Sequence, residues 1–258
     1  MLGAIAGDVI GSVHEGRGTK HKDFPLFAPA SRFTDDSVLT CAVAERILQG
    51  GDYTRLFHDW FHAYPNAGYG RTFIRWAFHR NMGPYGSWGN GSAMRVSPIG
   101  MLAGSVAEAC AEAEASAAVT HNHPEGIRGA QATAVAIHLA RKGADKAVIR
   151  QHLETQFGYR LDQSLADIRE TYTFDVSCQG SVPQSVVAFL ESESYEDAVR
   201  NAISLGGDAD TMACISGGIA EAFYGGVPEP IRVEVLARLD PRLRGIIDAF
   251  YARLSALP

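Results

Sequence analysis

Two short acidic clusters carry most of the chemistry legible in this 258-residue sequence. Thr34-Asp35-Asp36 stands immediately before an apolar run that begins near Ser37. Gly206-Gly207-Asp208-Ala209-Asp210-Thr211 stands immediately before the run MACISGGIAEAFYG. Each cluster offers two carboxylates and a hydroxyl at the start of an expected helix. One Asp or Thr in such a place is ordinary capping, since it accepts from unpaired amides and complements the helix dipole. A second carboxylate at each start exceeds what a cap needs. Four carboxylates brought together repel one another unless cations neutralise them. Oxygen-only ligation by carboxylates and hydroxyls suits a hard cation such as Mg²⁺, Mn²⁺ or Ca²⁺. Two such clusters can hold two ions about 4 Å apart. Spacing in the sequence leaves open whether the clusters meet.

Other residues could join such a site. Glu15 follows GAIAGDVIGSVH and reads either as a solvated loop glutamate or as an active-site carboxylate, whereas Asp8 in the same segment reads as a capping or hydrogen-bonding residue. Residues 83–98, GPYGSWGNGSAMRVSP, form a glycine-rich loop leading into a helix. Its amides and the helix start could face a phosphate, and Trp88 could stack on a base or cover the core. Neither nucleotide-binding glycine fingerprint is present. Ala67-Gly68-Tyr69-Gly70 is a shorter glycine turn between helices. His121 and His123 lack a third soft ligand for zinc, so His121 is either a ligand-facing hydrogen-bonding group or a helix cap. No G-x-S-x-G elbow and no cysteine in a nucleophile context occur.

The elements that must position these residues are helical. The stretch from Thr34 runs to a stop at Gly50-Gly51, and Asp52 to Tyr64 places Phe57, Trp60 and Phe61 on one face. Residues 105–119 are nearly all good or neutral helix formers. GIRGAQATAVAIHLARKG forms an amphipathic helix with Ile127, Ala130, Ala134, Ile137 and Ala140 inward. Further helices fall at 182–190, 195–204, 210–223 and 242–256. Gly3, Gly7 and Gly11 recur every four residues and form a small-residue face for close packing. Segment 157–181 is the least helical, with FDVSCQGSV as a long loop or short strand.

A net charge of −6 argues against a general nucleic-acid binder or a basic membrane-surface protein. No apolar stretch approaches the roughly 20 residues that span a bilayer, and the N-terminal segment lacks the basic region of a signal peptide. The expectation is a cytoplasmic protein with no membrane partner. The four cysteines are scattered and read as reduced, packed thiols.

Taken together and in order, GAIAGDVIGS, FTDDS, GNGSAMRVSPIG, THNHPEG and SLGGDADTMACISGGIAEAFYG resemble the ADP-ribosylglycohydrolase family, that of dinitrogenase-reductase-activating glycohydrolase, over about residues 3–225. The resemblance implies one all-α domain over residues 1–258, with a cleft for ADP-ribose and a binuclear Mg²⁺ or Mn²⁺ site at its base. Carried over by position, Thr34, Asp35, Asp36, Asp208, Asp210 and Thr211 are the expected metal ligands. Glu15 and Asp35 are the expected catalytic carboxylates. Gly68 and Gly70 approach the diphosphate, Gly86, Ser87 and Trp88 hold phosphate and distal ribose, and Asn90 and His121 complete the cleft. The implied reaction releases ADP-ribose from an ADP-ribosylated protein or a small ADP-ribose conjugate, through a metal-dependent glycosidic cleavage.

One departure concerns the acceptor. Arginine-directed bacterial members carry an acidic residue just before the Gly-Asn-Gly stretch, where this chain reads Tyr85-Gly86-Ser87-Trp88. That leans toward an O-linked substrate, such as a serine conjugate or the acetyl ester. The competing readings are an inactive ADP-ribose-binding or structural relative, and a two-metal phosphoesterase, for which the pattern is poor in histidine.

Overall fold

The structure, a computed structural model, describes residues 1–257. The described residues form fourteen α-helices and no named β-strand. In chain order these are α1 (Leu2–Gly11), α2 (Asp35–Gln49), α3 (Tyr53–Ala63), α4 (Arg71–Phe78), α5 (Ser97–Leu102), α6 (Val106–Ala118) and α7 (Pro124–Arg141). There follow α8 (Lys146–Phe157), α9 (Leu165–Thr171), α10 (Cys178–Leu190), α11 (Tyr195–Ile203), α12 (Ala209–Tyr224), α13 (Glu229–Arg238) and α14 (Pro241–Ser255). A single 3₁₀ turn, Asn90–Ser92, precedes α5. None of the helices is long and apolar enough to cross a membrane.

The core is built around α12, which is buried from Ala209 to Glu221, and α1, buried over its whole length. These two helices meet backbone to backbone. A Cβ on Gly7 would strike the Ala213 carbonyl, and one on Gly11 would stand 2.6 Å from the Ala209 carbonyl oxygen. At the other end a Cβ on Gly3 would stand 2.5 Å from the Gly217 carbonyl oxygen. The four-residue glycine spacing is therefore a contact stripe along the whole interface. Tyr195 seals one end by donating from its hydroxyl to the Gly3 carbonyl at 2.8 Å. The first amides of α1 donate to side chains, Leu2 N to Tyr251 Oη at 2.9 Å and Gly3 N to Glu221 Oε2 at 2.8 Å, which satisfies donors a helix start otherwise leaves open.

Most helices begin on a side-chain cap, including Asp52, Ser105, Asp145, Ser164, Ser177, Ser194 and Asp240. The cap at Ser177 changes the reading of FDVSCQGSV. Asp175 accepts from Ser177 N at 2.7 Å and Ser177 Oγ accepts from Gly180 N at 3.0 Å, so α10 already starts at Cys178. Only Ser177 pairs strand-like, in one isolated bridge to Gly89. The helix read from GIRGAQATAVAIHLARKG starts earlier as well, at Pro124, because His123 Nδ1 accepts from Glu125 N at 3.1 Å. Helices α8, α9 and α13 lie where no helix was expected from the sequence, whereas α4 and α5 follow the two glycine turns as expected. Trp88 does not cover the core: it is 53% exposed, with its ring edge toward His123.

The two kinds of helical glycine separate cleanly in what a methyl group would do. Gly7→Ala should lower unfolding free energy by about 1–3 kcal/mol through overpacking. Gly245→Ala, on an exposed turn of α14 with open space around it, should raise it by about 0.5–1 kcal/mol. Urea unfolding of the two variants reads both signs.

Candidate active site

The two acidic clusters meet. They line one cavity of about 360 Å³ together with Glu15, Gly68, Gly70, Ser87, Asn90 and His121. Helix α2 brings Asp35 and Asp36 in its first turn behind Thr34, and α12 brings Asp210 and Thr211 in its first turn behind Asp208. The start of α4, at Gly70 and Arg71, opens on the same space. Three positive helix ends thus face the carboxylates, which lowers the energy of holding negative charge there.

The acidic groups are close enough to act together. Carboxylate oxygens of Asp8, Asp36 and Asp210 lie within 4.8 Å of one another, and so do those of Glu15, Asp208 and Asp210, making Asp210 common to both groups. Asp8, Asp36, Asp208 and Asp210 are buried, whereas Glu15 is exposed on its turn. Burial first, and the neighbouring carboxylates second, hold Asp35 and Asp36 well above the usual carboxylate range. Burial and the charge of Asp210 do the same for Asp208. Burial and Asp210 push Asp8 up to about 7, and the charge of Asp210, then burial, raises Glu15.

Asp8 and the expected ligands differ in how their oxygens are occupied. Asp8 Oδ2 accepts from Thr34 N at 2.9 Å, from Ser37 N at 3.1 Å and from the Ser37 hydroxyl, and Oδ1 accepts from Thr34 Oγ1 at 2.7 Å. It thereby caps α2 from another helix and is saturated. Asp36 Oδ1, in contrast, is buried with no hydrogen-bond partner. Such an atom is strongly disfavoured unless a proton, a hydrogen-bond donor or a cation occupies the space beside it. With its hydrogen on Asp8, Thr34 Oγ1 turns lone-pair density elsewhere. The oxygen-rich donor set, the orphaned Asp36 oxygen and the mutual repulsion all fit hard divalent cations.

Neighbouring contacts fix the rest. Asn90 Nδ2 donates to Asp208 Oδ2 at 2.7 Å, and Asn90 N donates to the Val176 carbonyl at 2.7 Å. Asp35 N donates to the Ala67 carbonyl at 2.8 Å, and Gly68 (φ +112°) passes so near that a Cβ would stand 3.3 Å from Asp35 Oδ1. The turn bearing Glu15 is tied by Lys20, whose Nζ donates to the carbonyls of Arg169, Tyr172 and Leu205 at 2.9, 2.5 and 2.6 Å. These carbonyls lie at the C-terminal ends of α9 and α11, where a cation is favoured.

Twelve of the expected site residues line the cavity; Gly86 and Trp88 do not. Gly86 (φ +67°) donates its amide to Asn122 Oδ1 at 2.7 Å, and Trp88 accepts at its carbonyl from Cys178 N at 2.8 Å. They shape the loop behind Ser87. Three cations that line the cavity, Arg32, Arg71 and Arg95, were not singled out from the sequence. The signal for Arg71 was its place directly after Gly70 at a helix start, and for Arg95 its place within GNGSAMRVSP.

Comparisons with known proteins point to one family. The profile of the family described as ADP-ribosylglycohydrolase matches residues 1–256. "ADP-ribosylhydrolase ARH3" of Bos taurus is 28% identical, with 87% of this chain and 84% of that protein covered. "ADP-ribosylarginine hydrolase Tri1" of Pseudomonas putida is 26% identical, covering 92% of this chain and 73% of its own length. A solved "ADP-ribosylglycohydrolase-related protein complex" superposes with a TM-score of 0.72 at 26% identity, over 98% of this chain and 95% of the other.

Two outcomes follow from the charge crowding and its supports. A carboxyl whose folded pKa exceeds its unfolded value binds more protons when folded, so stability falls as pH rises between the two values. For Asp8 that window runs from 3.8 to about 7. Thermal unfolding in EDTA should therefore show a melting temperature that declines across it, and excess Mg²⁺ or Mn²⁺ should flatten the decline; a rise in EDTA would refute the crowding. Lys20→Met should speed amide exchange across residues 12–20 while leaving the global unfolding midpoint within a few degrees of wild type, as local opening requires.

Proposed function

The chain belongs to the ADP-ribosylglycohydrolase family, and on that premise we propose that it is a metal-dependent hydrolase cleaving the bond between the terminal ribose of ADP-ribose and an acceptor. The observation that carries the reading is the orphaned Asp36 Oδ1, buried where two acidic helix starts converge in one cavity. Thr34, Asp35, Asp36, Asp208, Asp210 and Thr211 would hold two divalent cations, Mg²⁺ or Mn²⁺. When bound, these supply charge neutralisation and orientation of ribose hydroxyls.

The chain's own residues divide the remaining work. Asp8 holds Thr34 and the first turn of α2 in place, and Asn90 fixes the rotamer of Asp208. Gly68 and Gly70 let the ligand approach the backbone beside Asp35, and the positive start of α4 with Arg71 and Arg32 meets the diphosphate. Ser87 and His121 complete the polar lining. Cleavage at the anomeric carbon passes through an oxocarbenium-like transition state. Glu15, exposed at the mouth and with its proton affinity raised by Asp210, takes a proton from the attacking water or gives one to the leaving group. Asp35, partly exposed in the same cavity, is the second carboxylate available for that transfer.

Among the cavity-lining residues from Tyr85 to Arg95 there is no carboxylate to meet a cationic guanidinium leaving group. That favours an O-linked conjugate, serine-linked or acetyl ester, over an arginine-linked one. One relative is named for an arginine-linked substrate and another carries no linkage in its name, so a substrate panel decides the linkage.

The deciding assay is ADP-ribose release from serine-, arginine- and nucleobase-linked conjugates and the acetyl ester, with Mg²⁺, Mn²⁺ or EDTA. Release from an O-linked conjugate that EDTA abolishes is the expected result. ADP-ribose binding without release from any conjugate would favour an inactive binding relative, and release of AMP a phosphoesterase. Glu15→Gln should lower kcat by about 10²–10⁴-fold while changing ADP-ribose affinity only a few-fold; an unchanged kcat removes Glu15 from the reaction.

A further inference from the structure

Arg95 is wholly buried, and two of its guanidinium nitrogens are committed to a single short segment. Nη2 donates to the Ser116 carbonyl at 2.7 Å and to Thr120 Oγ1 at 3.2 Å, and Nε donates to Ser116 Oγ at 3.3 Å. The Phe57 ring lies under the guanidinium at 4.5 Å. Burial lowers its pKa only to about 10, so the side chain is charged at neutral pH.

A guanidinium has donors and no acceptor. At its contact with Arg95, Thr120 Oγ1 must therefore accept, and the threonine's own hydrogen has to point elsewhere. The other partner of Oγ1 is His121 Nδ1, at 2.7 Å. The Tyr85 hydroxyl also faces Thr120, but the short contact of Oγ1 is the one to His121. Thr120 is fully buried, so a hydroxyl hydrogen turned away from Nδ1 would give up an acceptor at 2.7 Å and have only the Tyr85 hydroxyl to meet, which is disfavoured. Nδ1 accepts, and the imidazole proton sits on Nε2. The doubly protonated ring is excluded at neutral pH because burial first, and the Arg95 charge second, hold His121 well below the usual histidine range. Nε2 is the ring atom nearest the cavity-lining glycines: a Cβ on Gly91 would stand 3.2 Å from it and one on Gly89 3.6 Å.

We infer that Arg95 and Thr120 are positioning residues that lock His121 in its neutral Nε2–H tautomer, so that it offers the cleft a hydrogen-bond donor and never an acceptor. The direction is built in, because the first group of the relay cannot accept. A ligand rich in acceptor oxygens, as a diphosphate-linked sugar is, gains from a donor fixed in this way. The identity of that ligand as ADP-ribose rests on the proposed function; the tautomer does not.

The test is a long-range ¹H–¹⁵N correlation spectrum of protein labelled with ¹⁵N-histidine, with the His121 signals assigned by their loss in His121→Gln. The expected pattern is an unprotonated Nδ1 and a protonated Nε2. Thr120→Val should move the pattern toward mixed tautomers and weaken ADP-ribose binding about tenfold, while Thr120→Ser keeps both near wild type. A wild-type proton on Nδ1, a mixed wild-type pattern, or an unchanged tautomer in Thr120→Val overturns the relay. Should Thr120→Val fail to fold, the wild-type spectrum decides alone. A fixed Nε2–H in a protein that binds no ADP-ribose upholds the relay and overturns the proposed ligand instead.

Discussion

Negative charge gathered out of water is the constraint to which the rest of this structure answers. Two acidic pairs and Asp8 are packed at the meeting of α1, α2 and α12, with Glu15 at their edge. In a poorly polarisable interior such groups interact over several ångströms far more strongly than in water. The fold meets the problem in two ways. It aims helix starts at the cluster, and it saturates Asp8 with four donors so that this carboxylate acts as a clamp on α2 rather than one more free anion. What stays unsatisfied is Asp36 Oδ1 above all, the oxygen on which the proposed metal site rests.

The glycine stripe of α1 belongs to the same solution. Gly7 and Gly11 touch the backbone of Ala213 and Asp210, and Asp8 sits between them on the same helix. The depth to which α1 sinks against α12 therefore sets how far Asp8, and through it Thr34, stands from Asp210. A methyl group on that face would widen the gap between the two acidic pairs as well as loosen the core. The rest of the polar lining has another character, with Arg32, Arg71, Arg95, Ser87 and His121. An acidic floor with cationic and neutral donors around it suits a molecule with hydroxyls at one end and phosphates at the other.

Much of this was legible in residue order. The doubled aspartates at two expected helix starts, the four-residue glycine period and the glycine-rich loop before Met94 each named a local structure that is present. Residues whose roles arise only from distant partners were less legible. Asp8 reads as a local cap, and it is a cap, but of a helix twenty-six residues away. Arg95 stands in an apolar stretch where periodicity gives no hint that Ser116 and Thr120 wait for its guanidinium. Helix α8 is hard to read from the sequence because its charged, weakly amphipathic run, KAVIRQHLETQF, resembles a solvated connector; three buried residues, Ile149, Leu153 and Phe157, hold it down. The start of α10 was hidden by glycine and serine, which look like loop until Asp175 and Ser177 are seen to cap it.

The pairing of α1 with α12 also bears on how the chain acquires its fold. Helix α1 is buried on every side and lies flush against a partner some two hundred residues later in the chain. During synthesis it emerges early and has nowhere to bury Ile5, Val9 and Ile10 until α12 has left the ribosome. Contacts of such long sequence separation form slowly, because the intervening chain must be brought to order first. The acidic pocket does not exist in a nascent chain that lacks α12, so a cation that binds there can act only on the late steps. Folding of this protein is thus a race between completion of α12 and the exposure of α1, and an unpartnered α1 is the segment a chaperone would be expected to hold.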